Sequence, residues 1–309
     1  MKFLPSVGAV LIGLCAPACT DRATFASACE AEPPLRAPPR RILPGNAAWV
    51  DHLSLLVGPE RLAALPSEAS GYSRLGEARG AWAELAPLPV FEAERILALA
   101  PDLVLVHAWQ NPETIATLRR AGIPVLSCSV PESWEEVTGT LERLGAVLGE
   151  SPGARTVCAE LEERRAALRA RGARFAHLDA MTYTNLGAGG WTSGARTTGD
   201  VLIGLAGLGN AAAKAGLVGD APADGERLLA LAPDLFVVGQ PDRSEHAPPS
   251  AQFLLAEPAL AGLEAVRAGR IVTLPPALFT SASPELLTGA ERLVEALERL
   301  EREGGLPQR

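Results

Sequence analysis

Histidine and cysteine are scarce in this chain, and their spacing excludes even more than their number does. Four histidines occur in 309 residues, none close to another, and the five cysteines at 15, 19, 29, 128 and 158 form no C-x-x-C pair. Neither a zinc site nor a disulfide framework is signalled. Cys128 and Cys158 read as small buried hydrophobes that would pair only if the fold set them side by side. No block of Lys and Arg interrupts a formal charge of −8, which speaks against a nucleic-acid footprint. P-loop, G-x-S-x-G, H-E-x-x-H and paired Asp/Glu motifs are all missing, so no catalytic constellation is advertised. Beyond the N-terminus no apolar run is long enough to span a bilayer.

What the chain does have is a phrase that occurs twice. Residues 94–106 read E-R-I-L-A-L-A-P-D-L-V-L-V and residues 226–238 read E-R-L-L-A-L-A-P-D-L-F-V-V. Each copy begins as a helix, is broken by Pro101 or Pro233, and passes into an apolar β-branched run suited to a buried parallel strand. One such repeat at long offset predicts two similar α/β lobes. Between them, Ala154 to Arg171 runs without Gly or Pro and reads as one helix. At ~1.5 Å per residue it reaches roughly 27 Å, enough to cross from lobe to lobe. The expected fold class is therefore α/β: two similar parallel-sheet lobes joined by a single long linker helix, with a ligand cleft between them.

The expected division is an export signal and the start of a tether in 1–28, a first lobe in 40–150, the linker helix in 151–173 and a second lobe in 174–309. Lys2, the apolar run Phe3 to Leu14 and the small residues around Ala16 and Ala18 make the signal, with cleavage after residue 18 or 28. Cys19 resembles a lipoprotein acceptor, so the mature protein is expected to be periplasmic, or anchored on the outer side of the cytoplasmic membrane. Pro33, Pro34, Pro38 and Pro39 read as a tether. Short strands are expected at 41–43 and 61–65, a longer one at 174–183, and a Gly-rich loop carrying Trp191 at 186–194.

Ligands of open parallel sheets bind beyond the carboxyl ends of the strands, and two facing lobes make one cleft from two such edges. Those edges carry Asn46, Tyr72, His107, Trp109 and Gln110 in the first lobe. The second offers Tyr183, Asn185, Trp191, Arg196, Gln240 and Phe279. The aromatics among them suit a large conjugated ligand, although any one of them alone is equally a packing residue. Neither catalytic nor metal-ligating residues are assigned, and no resident cofactor is expected.

The R-I-L start, the duplicated E-R-x-L-A-L-A-P-D-L, A-G-I-P-V at 121–125, G-D-V-L-I-G-L-A-G-L-G-N-A-A-A at 199–213 and G-R-I-V-T-L-P at 269–275 together resemble the cobalamin and ferric-siderophore family of ABC-importer binding proteins. The resemblance covers about residues 40–302. It implies a monomeric solute-binding receptor, not an enzyme, that captures a metal chelate and delivers it to a membrane permease. Tyr72 in S-G-Y-S matches a ligand-contacting tyrosine of the corrinoid receptors, Trp191 in W-T-S-G matches an aromatic before the same T-S-G, and Phe279 lies in a similar F-x-x-A-S-P. Ala277 and Ser281 stand where those receptors have an acid and an arginine, and Trp109 is displaced by about two residues. Corrinoid, ferric siderophore and haem therefore all stay open. Glu94 and Glu226 match glutamates that meet arginines of the permease, while helix-dipole stabilisation alone also accounts for acids in a first turn. Two other functions fit the same cleft: a free metal-ion receptor and a two-lobed α/β enzyme.

Overall fold

The computed structural model describes residues 29–77, 81–185, 189–239 and 249–307. The export signal with Cys19, and Gln240, lie outside the described residues. The first lobe runs β1 (Glu30–Glu32), β2 (Ile42–Pro44), α1 (Ala47–Ser54), β3 (Leu65–Pro66), α2 (Ala69–Tyr72), β4 (Pro87–Leu88), α3 (Ala93–Ala98), β5 (Leu103–His107), α4 (Pro112–Arg120), β6 (Val125–Cys128) and α5 (Trp134–Leu148). The linker helix α6 spans Ser151–Gly172. The second lobe follows with β7 (Asp179–Thr182), β8 (Thr184–Asn185), β9 (Gly190–Ser193), α7 (Thr198–Leu205), β10 (Gly209–Asn210), α8 (Ala211–Lys214), β11 (Asp220–Pro222) and α9 (Gly225–Leu231). It closes with β12 (Leu235–Gly239), α10 (Pro249–Ala256), α11 (Glu264–Arg267), β13 (Ile271–Leu274) and α12 (Glu285–Arg302).

The first sheet has the order β1-β6-β5-β2, and the second β10-β7-β12-β13. All pairings in the second are parallel, as are β2–β5 and β5–β6 in the first; β1 alone pairs antiparallel. The repeated phrase is α3 feeding β5 and α9 feeding β12, so the two copies occupy the same place in the two lobes. Ala100 and Ala232 end the helices at φ +46° and +39°, just before the prolines. The next residue in each copy ties down a neighbouring strand. Asp102 accepts from Arg40 N (2.6 Å) and Arg41 N (2.8 Å) ahead of β2, and Asp234 accepts from Asp179 N (2.7 Å) at the start of β7.

The linker helix holds the lobes stiffly. Arg164 forms a two-bond ion pair with Glu291 of α12 (3.1 and 2.8 Å), and Arg171 does the same with Glu298 (3.2 and 3.0 Å). Trp134, Val137 and Leu141 of α5 share one apolar core with Leu161 of the linker and with Leu202 and Leu293 of the second lobe. Each fully buried Leu contributes about 1.5–3 kcal/mol, so prising the lobes apart along this core is costly.

Several expectations need correction. Cys128 pairs with Cys29, not Cys158, at a Cα–Cα distance of 4.5 Å. Cys158 is buried and donates to Thr138 O at 3.7 Å. The bond lies beside the β1–β6 pairing, where Glu30 faces Ser127. A lone cysteine just past a signal gives no spacing to read, which is why the pair was invisible. The proline run is likewise part of the fold rather than a tether: Pro39 is buried, and its carbonyl accepts from Arg61 Nη2. Arg61 also reaches Leu148 O at 3.0 Å and Glu150 Oε1 at 2.9 Å, which holds it in the 3-10 turn Pro59–Arg61 instead of a strand. The strand expected at 174–183 begins only at Asp179, because Ala173–Phe175 makes a 3-10 turn that buries Phe175. Trp191 stands on β9, which is hydrogen-bonded to β8 and β11, and not in a loop.

Candidate functional site

At the first lobe's carboxyl edge, the turn Pro44-Gly45-Asn46 meets the end of β5. A Cβ on Gly45 would lie 2.5 Å from Leu105 O and 2.8 Å from Gln110 Nε2, so the approach requires glycine. Asn46 caps α1 by accepting from Trp49 N (3.3 Å), which leaves its amide nitrogen as donor to His107 Nδ1 (2.9 Å) and Gln110 Oε1 (3.0 Å). Gln110 Oε1 also accepts from His107 N, and its Nε2 donates to Gly45 O. An accepting Nδ1 fixes His107 as the neutral Nε2–H tautomer. Burial, and secondarily the nearby His52, pushes its pKa down to about 3. Asn46, His107 and Gln110 are thus buried and hydrogen-bonded to one another and to the backbone.

The scaffold positions Trp109. The buried Trp49 ring stacks on His107 at 4.8 Å between centroids, and His107 stacks in turn on Trp109 at 6.5 Å with planes 9° apart. Trp109 ends this ladder and is 64% exposed; Tyr72, at the end of α2, is 61% exposed. Both offer open ring surface at the first lobe's edge.

In the second lobe a cavity of about 530 Å³ lies where the strands end, within the ~300–1,000 Å³ usual for small-molecule sites. Its lining includes Thr182, Ser193, Thr198, Asp220, Thr280 and Trp191. Trp191 is 50% exposed. Thr198 donates to Thr280 O (2.9 Å), and Ser193 donates to Asp220 Oδ1 (2.8 Å), so these hydroxyls form an ordered polar floor. None of them had been singled out beforehand. The signal available was the Thr182-Tyr183-Thr184 alternation at a strand end, which turns two hydroxyls to one face and the ring to the other.

Tyr183 and Asn185 lie on the opposite side of β9. They line a second cavity of about 770 Å³ with Phe253 and Asp224. Tyr183 is fully buried, stacks on Phe253 and accepts from Asn185 Nδ2 at 3.1 Å. Phe279 is core: a Cβ on Gly239 would meet its ring at 2.8 Å. Arg196, at φ +63°, spans the two lobes by donating Nε to Glu132 Oε2 at 2.6 Å. Glu94 and Glu226 are both exposed in the first turns of α3 and α9. Among the described residues, no group of three or more His, Cys, Asp or Glu is placed to hold a metal ion.

A family model described as periplasmic binding protein matches residues 89–278. The chain belongs to that family. Family membership implies a periplasmic location, and no described helix is long and apolar enough to cross a membrane. No curated protein matches in sequence. Among solved structures, this periplasmic binding protein is similar to the periplasmic heme-binding protein RhuT of Roseiflexus sp. RS-1 in its apo form. The two share 26% identity at a TM-score of 0.71 over 83% of this chain and 98% of that one. A periplasmic heme-binding protein of Pseudomonas aeruginosa gives 25% identity and TM-score 0.70, covering 84% and 92%. An ABC-type Fe3+-hydroxamate transport protein of Saccharomonospora viridis shares the fold at 22% identity and TM-score 0.69, covering 84% and 94%.

Proposed function

We propose that the chain is the solute receptor of an ABC importer, not an enzyme, and that it captures a ferric chelate with a flat conjugated surface, best matched by haem. The observation that carries this reading is the set of three open aromatic rings, Tyr72 at the end of α2 and Trp109 just past β5 on one lobe and Trp191 on β9 of the other. Indole and phenol rings favour a conjugated face, and a tyrosine oxygen is a known donor to haem iron. The haem-binding relatives at 25–26% identity support the same ligand class. Cys19 is proposed as the acylated anchor, and Glu94 with Glu226 as the contacts to the permease.

A thermal-shift screen of hemin, a ferric hydroxamate and cobalamin tests the ligand. The bound compound at 100 times its Kd stabilises the fold by about 2.7 kcal/mol. Tyr72→Ala and Trp191→Ala are expected to weaken binding by about 1–3 kcal/mol each without loss of folding. A screen without any shift, or two variants with unchanged affinity, rejects the reading.

A further inference from the structure

Behind Tyr72 two carboxyl groups meet across the lobes. Asp51 of α1 is buried, and its Oδ1 accepts from Ser73 Oγ (2.5 Å) and Arg74 N (3.1 Å), the two residues that follow Tyr72. Its Oδ2 accepts from Ser283 Oγ (3.2 Å) of the second lobe. Ser283 is fully buried and is linked to Ser281 at 2.8 Å. Glu285, at the start of α12, is also buried; Oε1 accepts from Arg74 Nη1 (3.1 Å), while Oε2 is buried with no partner. The short turn carrying the open tyrosine is thereby tied to the second lobe directly by the Arg74 side chain on Glu285, and indirectly through Asp51, which holds Ser73 and Arg74 N on one oxygen and Ser283 on the other.

We propose that Asp51 and Glu285, through Ser73, Arg74 and Ser283, are positioning residues that clamp the Tyr72 turn to the second lobe, and that the protonation of Asp51 sets ligand affinity. The proposal rests on the reading that Tyr72 touches the ligand. The charges facing the pair are few. Arg74 lies on the turn, and Glu68 on the same segment caps Ala47 N at 3.1 Å. His52, beside Asp51 on α1, is held neutral by burial, which lowers its pKa to about 4. From the linker helix, Arg164 is engaged with Glu291. The two buried acids thus share Arg74, whose side chain is mostly exposed, while Arg164 acts on Glu285 at longer range, and burial, with Glu285 adding to it, raises Asp51 to about 7. Below that pH the neutral acid can donate a hydrogen bond to Ser283, whose hydroxyl then turns to donate to Ser281 Oγ. Above it, two like charges face each other in a partly dry seam.

The clamp predicts a pH profile that a merely structural aspartate would not give. Wild-type affinity for hemin falls several-fold between about pH 6 and about pH 8, and backbone hydrogen exchange over residues 69–75 of the ligand-free protein quickens by a similar factor. Asp51→Asn mimics the neutral acid, so it holds the low-pH affinity and slow exchange throughout, whereas Asp51→Ala is loose at every pH. Glu285→Gln flattens the profile by removing the facing charge, and supplies the test if the Asp51 variants fold poorly. Comparing each variant with wild type at the same pH cancels hemin's own ionisation. A wild-type profile that is flat in both measurements, or an Asp51→Asn profile with wild-type slope, overturns the clamp. Hemin that fails to bind at any pH overturns the ligand reading instead, and the exchange measurement still decides the clamp.

Discussion

Ala100 and Ala232 sit at equivalent places in the two copies of the repeat and share a left-handed backbone that alanine adopts at a cost of about 1 kcal/mol. The repeat is therefore conformational as well as verbal: the same residue ends the same helix before the same proline. Glycine carries no such penalty, and both positions are exposed. Ala232→Gly is expected to raise stability by about 0.5–1 kcal/mol in thermal unfolding, and Ala232→Val to lower it by more. A loss of stability in the glycine variant would mean that packing ahead of the proline, not φ, decides the site.

For the elements, α3 and α9 point their N-termini toward the carboxyl edges of their own lobes because each runs antiparallel to the strand it feeds. Glu94 and Glu226 consequently stand on corresponding corners. Exposed ion pairs contribute only about 0–1 kcal/mol each, so such residues would steer docking more than tighten it. Glu94→Arg with Glu226→Arg is expected to leave ligand affinity unchanged and abolish uptake in reconstituted vesicles; normal uptake leaves only the helix-dipole role. Helices and buried strands of this kind were legible because their caps and periodicity are local: Asn111, Ser133 and Thr197 all cap the helices they precede. Trp191 was misplaced in a loop because β9 is a short strand whose partners, β8 and β11, supply its hydrogen bonds without an apolar run of its own. Tyr72, Trp109 and Trp191 could be named from the sequence as candidate contact aromatics, and the fold leaves all three rings exposed. Asn46, His107 and Gln110 are buried and bonded to one another, a distinction their polar types do not carry, because such residues mark a strand end equally well whether they face ligand or backbone. The Asp51–Glu285 pair was illegible, since the two ordinary acids lie 234 positions apart in the chain.

At the level of the molecule, buried titratable groups oppose one another. His52 and His107 have folded pKa values of about 4 and about 3, well below their ordinary 6.5, so the unfolded chain takes up protons first and their stabilising effect is lost as pH falls below about 6.5. Asp51, raised to about 7, binds its proton more tightly when folded and acts in the opposite sense between about 7 and 3.8. Two protons against one leave stability falling by roughly 1.4 kcal/mol per pH unit from about pH 6.5 toward 4. Asp51→Asn should double that slope in denaturant titrations, and an unchanged slope would remove Asp51 from the balance. The Cys29–Cys128 bond reaches beyond the fold in a different way. It fastens the chain to the first sheet only ten residues after Cys19, so a lipid on Cys19 gives a leash of at most about 36 Å. An anchored receptor on so short a leash meets a neighbouring permease at an effective concentration on the order of millimolar, and weak docking contacts then suffice.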